Sequence, residues 1–121
     1  MVARGMDSKY QGSKWIRREK RLAIYMRDGM ACIWCGSEDR SNLTLDHLVP
    51  YSKGGGHTGD NLITSCLHCN SSRGDKDPSE FTADISILDY IKSIPSLILD
   101  VKNAKSIITL GGSWTGALAT A

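Results

Sequence analysis

No apolar run in this 121-residue chain is long enough to span a bilayer, and neither end opens on a charged stretch followed by an apolar run. Neither a membrane protein nor a secreted one is expected, and the expected location is cytoplasmic, with no membrane partner. A strong charge of one sign is missing too. Fifteen Lys and Arg against 13 Asp and Glu leave a net charge of +2, too little for a protein that coats nucleic acid indiscriminately. No internal repeat is found. The length allows one domain with a modest core, the class in which a metal or disulfides often complete the fold.

What is there is a pair of Cys-x-x-Cys sequences, Cys32/Cys35 and Cys66/Cys69, about thirty residues apart. Such pairs can gather four thiolates round one ion, and in a cytosolic protein they serve more often as metal ligands than as disulfides. Four thiolates leave no open position for a substrate, so the ion they imply is a structural Zn2+. A thioredoxin-like redox role is disfavoured because no βαβ pattern surrounds either pair. Between the pairs Asp46 and His47 stand side by side, and a stapled scaffold holding an Asp-His pair points to hydrolytic chemistry.

Charge is unevenly spread. Residues 1–27 carry Arg4, Lys9, Lys14, Arg17, Arg18, Lys20, Arg21 and Arg27 against Asp7 and Glu19. From Asp77 to Asn103 the balance reverses, with Asp77, Glu80, Asp84, Asp89 and Asp100 against Lys92 and Lys102. A basic half beside the cysteine core suggests a polyanion partner; the plainer reading is a solvated helix face.

The expected elements follow in order. Ser13 to Met26 reads as a helix, with Trp15, Ile16, Leu22, Ala23 and Met26 toward one side and Lys14, Arg17, Arg18 and Arg21 on the rest, closed by a turn at Asp28-Gly29. A knuckle at Cys32 to Gly36, a strand at Thr44 to Leu48, a Gly-rich loop and a return strand at Leu62 to Thr64 come next. Leu67 to Arg73 makes one or two helical turns stopping at Gly74. Apolar positions from Ile85 to Ile108 recur at helical spacing, with Pro95 near a helix start, giving two amphipathic helices that cover the core or dock a protein partner. The expected organisation is a flexible segment 1–12, a metal-stapled core 13–81, a helical segment 82–110 and a flexible tail 111–121.

Arg27-Asp28-Gly29, Cys32-x-x-Cys35-Gly36, Leu45-Asp46-His47, Pro50, Gly54-Gly55, Asn61-Leu62, Cys66-x-x-Cys69-Asn70 and Asp75-Lys76, in this order, resemble the HNH endonucleases, above all their small four-cysteine bacterial and phage type. The resemblance covers residues 14–77. It implies an α+β fold, a zinc-stapled ββα-metal finger, and metal-assisted hydrolysis of DNA. It also implies that Asn61 braces the loop, and hence His47, through backbone hydrogen bonds. The last family position falls on Asn70, an HNN variant, with His68 as a less favoured alternative.

Residue chemistry agrees with that implication. Phosphodiester hydrolysis needs an activated water, a cation to absorb charge on the phosphorane oxygens, and help for the departing 3′ oxygen. His47 suits the role of general base. Asp46 and Asn70 offer hard oxygens to a divalent cation, Mg2+ or Mn2+, and both Asp46 and His47 are expected to face one cleft from a strand end. Lys14, Arg17, Arg18, Arg21, Arg73 and Lys76 are the expected nucleic-acid contacts. His57, without a partner in the motif, reads as a solvent-exposed loop residue. The alternatives are a non-catalytic zinc-stabilised module that binds nucleic acid or protein, and a chain whose C-terminal helices dock onto another protein, such as phage packaging machinery.

Overall fold

The computed structural model describes residues 16–110. Lys14, Trp15, the start of the expected first helix, the segment 1–12 and the tail 111–121 lie outside the described residues. The first helix, α1, spans Arg18–Arg27 and buries Arg21, Leu22, Ala23, Ile24 and Tyr25. It ends where expected. Asp28 N–H donates to the Ile24 carbonyl, and Gly29 follows at φ +83, a backbone shape that L side chains rarely adopt.

Asp28 does more than stop the helix. Its carboxylate accepts from Arg27 Nε at 2.8 Å and from the Thr64 backbone N–H at 2.8 Å, and it also takes a hydrogen bond from the Tyr90 hydroxyl. Burial first, and then the Asp28 carboxylate, push the Tyr90 phenol pKa up, so the hydroxyl stays a donor. Arg27 in turn donates to the carbonyls of Gly59 at 2.6 Å and Leu62 at 2.7 Å. The Arg27-Asp28-Gly29 turn is thereby the joint between α1, the central loop and the sheet.

The sheet is two-stranded and antiparallel: β1 (Leu43–His47) pairs with β2 (Leu62–Cys66), with Leu43 opposite Cys66 and His47 opposite Leu62. Alternation places Leu43 and Leu45 on the face covered by α1, in a core with Ile16, Leu22, Ala23, Ile24, Tyr25, Leu62 and Ala104. The helix α2 (Leu67–Arg73) leaves β2 directly, capped by Cys66, and stops at Gly74. The result is a small α+β fold of the ββα kind, carrying a basic N-terminal helix.

Three further helices follow: α3 (Pro78–Phe81), α4 (Ile85–Ser93) and α5 (Val101–Thr109). The side chains of Asp77, Asp84 and Asp100 cap their N-termini, and Glu80 closes a capping box with Asp77. Much of the acidic bias of this region is thus helix-end chemistry. Pro95 lies in a short 3-10 turn, Ile94–Ser96, ahead of α5 rather than at its start. Ala104 is fully buried against α1, and Leu99, Val101, Ile107 and Ile108 pack round it. Among the described residues no helix is long and apolar enough to cross a membrane.

Candidate metal centre and active site

The first cysteine pair sits on a knuckle closed by two backbone bonds, Cys32 N–H to the Ser37 carbonyl at 2.9 Å and Gly36 N–H to the Cys32 carbonyl at 2.8 Å. Gly36 takes φ +80 to make the bend. Ile33 N–H reaches the Thr64 carbonyl at 3.1 Å and holds the knuckle against β2. The second pair straddles the junction of β2 with α2, where Cys66 Sγ accepts from Cys69 N–H at 3.4 Å.

All four sulfurs lie within 4.8 Å of one another. Cys35 Sγ and Cys66 Sγ are 3.8 Å apart, the edge expected of a tetrahedron with metal–sulfur bonds of about 2.3 Å. Burial, then the neighbouring thiols, push the Cys69 thiol pKa up, a crowding that a dication would relieve. The geometry and the donor set fit a closed tetrahedral thiolate site. Trp34 and Phe81, edge to face at 5.2 Å, pack beside it. Among the described residues these four cysteines are the only group of three or more His, Cys, Asp or Glu side chains close enough to share an ion.

His47 closes β1 and is half-buried. The backbone then turns through a loop that Asn61 braces. Its Oδ1 accepts from Val49 N–H at 2.8 Å, while Nδ2 donates to the carbonyls of Val49 at 3.1 Å and Gly56 at 2.9 Å. A Cβ on Gly55 would stand 1.8 Å from the Val49 carbonyl oxygen, so the loop can close only over a glycine there. Asn70, half-buried on α2, donates from Nδ2 to the Leu45 carbonyl at 3.4 Å, which turns its side-chain oxygen away from the strand. His68 is exposed on the same helix.

Two expected nucleic-acid contacts face inward instead. Arg21 is 1% exposed and its Nη1 donates to the Tyr25 hydroxyl at 3.3 Å. Arg73 is fully buried: Nη1 donates to Asp46 Oδ1 and the His47 carbonyl, both at 2.9 Å, and Nη2 to the Leu48 carbonyl at 2.6 Å. Its guanidinium also stands 5.6 Å over the Trp34 ring. Neither side chain presents itself to a backbone phosphate. Arg17, Arg18 and Lys76 are exposed. Asp46 and His47 are thereby drawn to different partners, Asp46 to α2 and His47 to the loop.

That loop carries a residue whose place the sequence alone does not reveal. His57 is half-buried, not solvent-exposed, and its Nδ1 lies 2.9 Å from His47 Nε2. Tyr51 stacks on it at 4.9 Å and 9°, and Lys20 Nζ donates to its carbonyl at 2.8 Å. Burial first, and His57 second, lower the His47 pKa from 6.5 to about 4, and His57 is lowered as well, by burial and then Lys20. Both shifts favour the uncharged imidazole.

The family model of the HNH endonucleases matches residues 32–76. Over residues 32–76 the chain is similar to the HNH endonucleases. The matched span holds both cysteine pairs, Asp46, His47, Asn61 and Asn70, and leaves α1 and the helices from α3 onward outside. Over 56 residues the chain is 39% identical to a CRISPR-associated endonuclease Cas9 of Corynebacterium diphtheriae, a stretch covering 45% of this chain and 5% of that protein. The chain spans about one twentieth of the length of that relative.

Proposed function

We propose that this chain is a metal-dependent endonuclease that hydrolyses DNA phosphodiester bonds. The observation carrying this reading is the HNH match over residues 32–76, with Asp46 and His47 at the end of β1 and Asn70 on α2 hydrogen-bonded to the Leu45 carbonyl. Zinc in the cysteine site would hold the Cys32–Gly36 knuckle against the β2–α2 junction and supply no chemistry.

Asp46 and Asn70 would hold a catalytic divalent cation, Mg2+ or Mn2+, which supplies charge for the phosphorane oxygens. The oxygen donors suit such an ion, although the Asp46 carboxylate is 5% exposed and its Oδ1 is held by Arg73. His47 takes the proton from water, the water oxygen attacks phosphorus, and the P–O3′ bond breaks, leaving a 5′-phosphate and a 3′ oxygen that takes a proton. Lys20, hydrogen-bonded to the His57 carbonyl, brings α1 against the loop beside His47. Arg17 and Arg18, at the start of that helix, with Lys76 beyond α2, would carry the backbone phosphates. Incubating supercoiled plasmid with wild type and His47→Ala, with and without magnesium or manganese, tests the reading. Metal-dependent cutting lost in the variant supports it. An uncut plasmid with zinc bound and the fold intact would leave the rival reading, a zinc-stabilised binding module.

A further inference from the structure

Two neutral imidazoles that share one hydrogen bond cannot both donate: one nitrogen carries the proton and the other accepts it. His47 Nε2 and His57 Nδ1 meet at 2.9 Å, so the pair has two possible tautomer assignments. In one, His57 donates and His47 Nε2 is spent as the acceptor. In the other, His47 Nε2 donates to His57 and the lone pair of His47 lies on Nδ1. Only the second leaves His47 able to take a proton from water while the contact is kept.

We propose that His57 is a positioning residue: its Nδ1 accepts from His47 Nε2–H and fixes His47 in the tautomer whose basic atom is Nδ1. The inference deepens the nuclease reading and rests on it for its catalytic consequence. The surroundings are built for the task. Tyr51 stacked on the ring sets the plane of His57, Lys20 anchors its carbonyl, and Asn61 ties Gly56, the residue before it, to Val49. The ring is thereby restrained from three directions, more than a chance loop contact requires. This is the arrangement in which a second group orients a base through its other nitrogen.

The experiment uses the full zinc-loaded chain at pH 8 without magnesium, labelled with 15N in its histidines, and reads the protonation of each imidazole nitrogen by NMR. The expected result is His47 protonated on Nε2 in wild type and a mixture of tautomers in His57→Leu, which fills the space without an acceptor. His57→Asn, whose side-chain oxygen can accept in place of Nδ1, should restore the wild-type tautomer. In plasmid cleavage, His57→Leu should lose on the order of 10- to 100-fold in kcat with KM unchanged, and His57→Asn should recover much of it. An unchanged His47 tautomer in His57→Leu, or a proton found on His57 Nδ1 in wild type, overturns the proposal. So does a second metal ion bound per chain by wild type and lost in His57→Leu, which would assign the pair to a cation. If the tautomers behave as expected while wild type cuts no plasmid, the positioning stands and the nuclease reading fails.

Discussion

Replacing Arg73 by Leu should unfold far more protein than it detaches from DNA. The guanidinium has no solvent exposure, and the Asp46 carboxylate that it neutralises is 5% exposed. Removing one partner of such a buried pair strands the other charge and costs about 3–5 kcal/mol. The carbonyls of His47 and Leu48 lose their Arg73 donors in the same stroke, so the upper part of that range is expected. Against a typical total of about 5–15 kcal/mol, the variant should be marginal or unfolded at 37 °C. Urea denaturation followed by circular dichroism, with zinc saturating throughout, measures the loss. Adding Asp46→Leu to Arg73→Leu removes the stranded carboxylate and should recover a large part of it, giving a coupling energy of about 2 kcal/mol or more in the double-mutant cycle. A loss below about 1 kcal/mol in the single variant, or additivity within about 0.5 kcal/mol, would refute the buried-pair reasoning and return Arg73 to the surface.

Stripping zinc with a chelator, or Cys66→Ser, should unmake the β2–α2 junction, seen as loss of helical signal and of about one zinc per chain by metal analysis. Asn70→Ala should weaken the response of cleavage to magnesium or manganese, with partial rescue at high metal, whereas His47→Ala should abolish turnover at any metal concentration. Because His47 must be neutral to act and its pKa is lowered from 6.5 toward about 4, kcat/KM should stay level through pH 6.5 and fall only at more acidic pH; His57→Ala, which removes a neighbouring group that gains positive charge on protonation, should move that acid limb upward. Arg17→Ala with Arg18→Ala should flatten the log-log salt dependence of DNA binding by roughly 0.9 for each phosphate no longer neutralised, without changing turnover at saturating DNA; an unaltered slope would make that end of α1 an ordinary solvated face.

Residues whose task is local could be read directly. Asp28-Gly29 ends α1, Gly74 ends α2, and the cysteine spacing brings four sulfurs together, because a turn or a knuckle is decided by a few neighbouring residues. What escaped depended on closure over longer distances. Arg21 and Arg73 lie among polar neighbours that mark a surface, and only the packing of Tyr25 behind α1, and of Asp46 and Trp34 behind α2, turns them inward. His57 reaches His47 because the chain between them doubles back under the Asn61 clamp and through Gly55. The signal was present in Gly54-Gly55-Gly56 directly before a histidine and Asn61 shortly after it, a segment able to fold back on the strand it left.

The helix α2 carries Cys69, Asn70 and Arg73 within two turns, and this has a practical consequence for time-resolved inhibition. On the nuclease function proposed above, a chelator should act twice and at different speeds. On the proposed function, an ion held by only two protein oxygens should be withdrawn quickly and returned by addition of magnesium. An ion held by four sulfurs leaves slowly, and with it goes the register of the helix that aims Asn70 and pins Asp46. Brief chelation should therefore be undone by magnesium alone, whereas prolonged chelation leaves a chain that magnesium cannot revive until zinc has been restored and the finger has refolded.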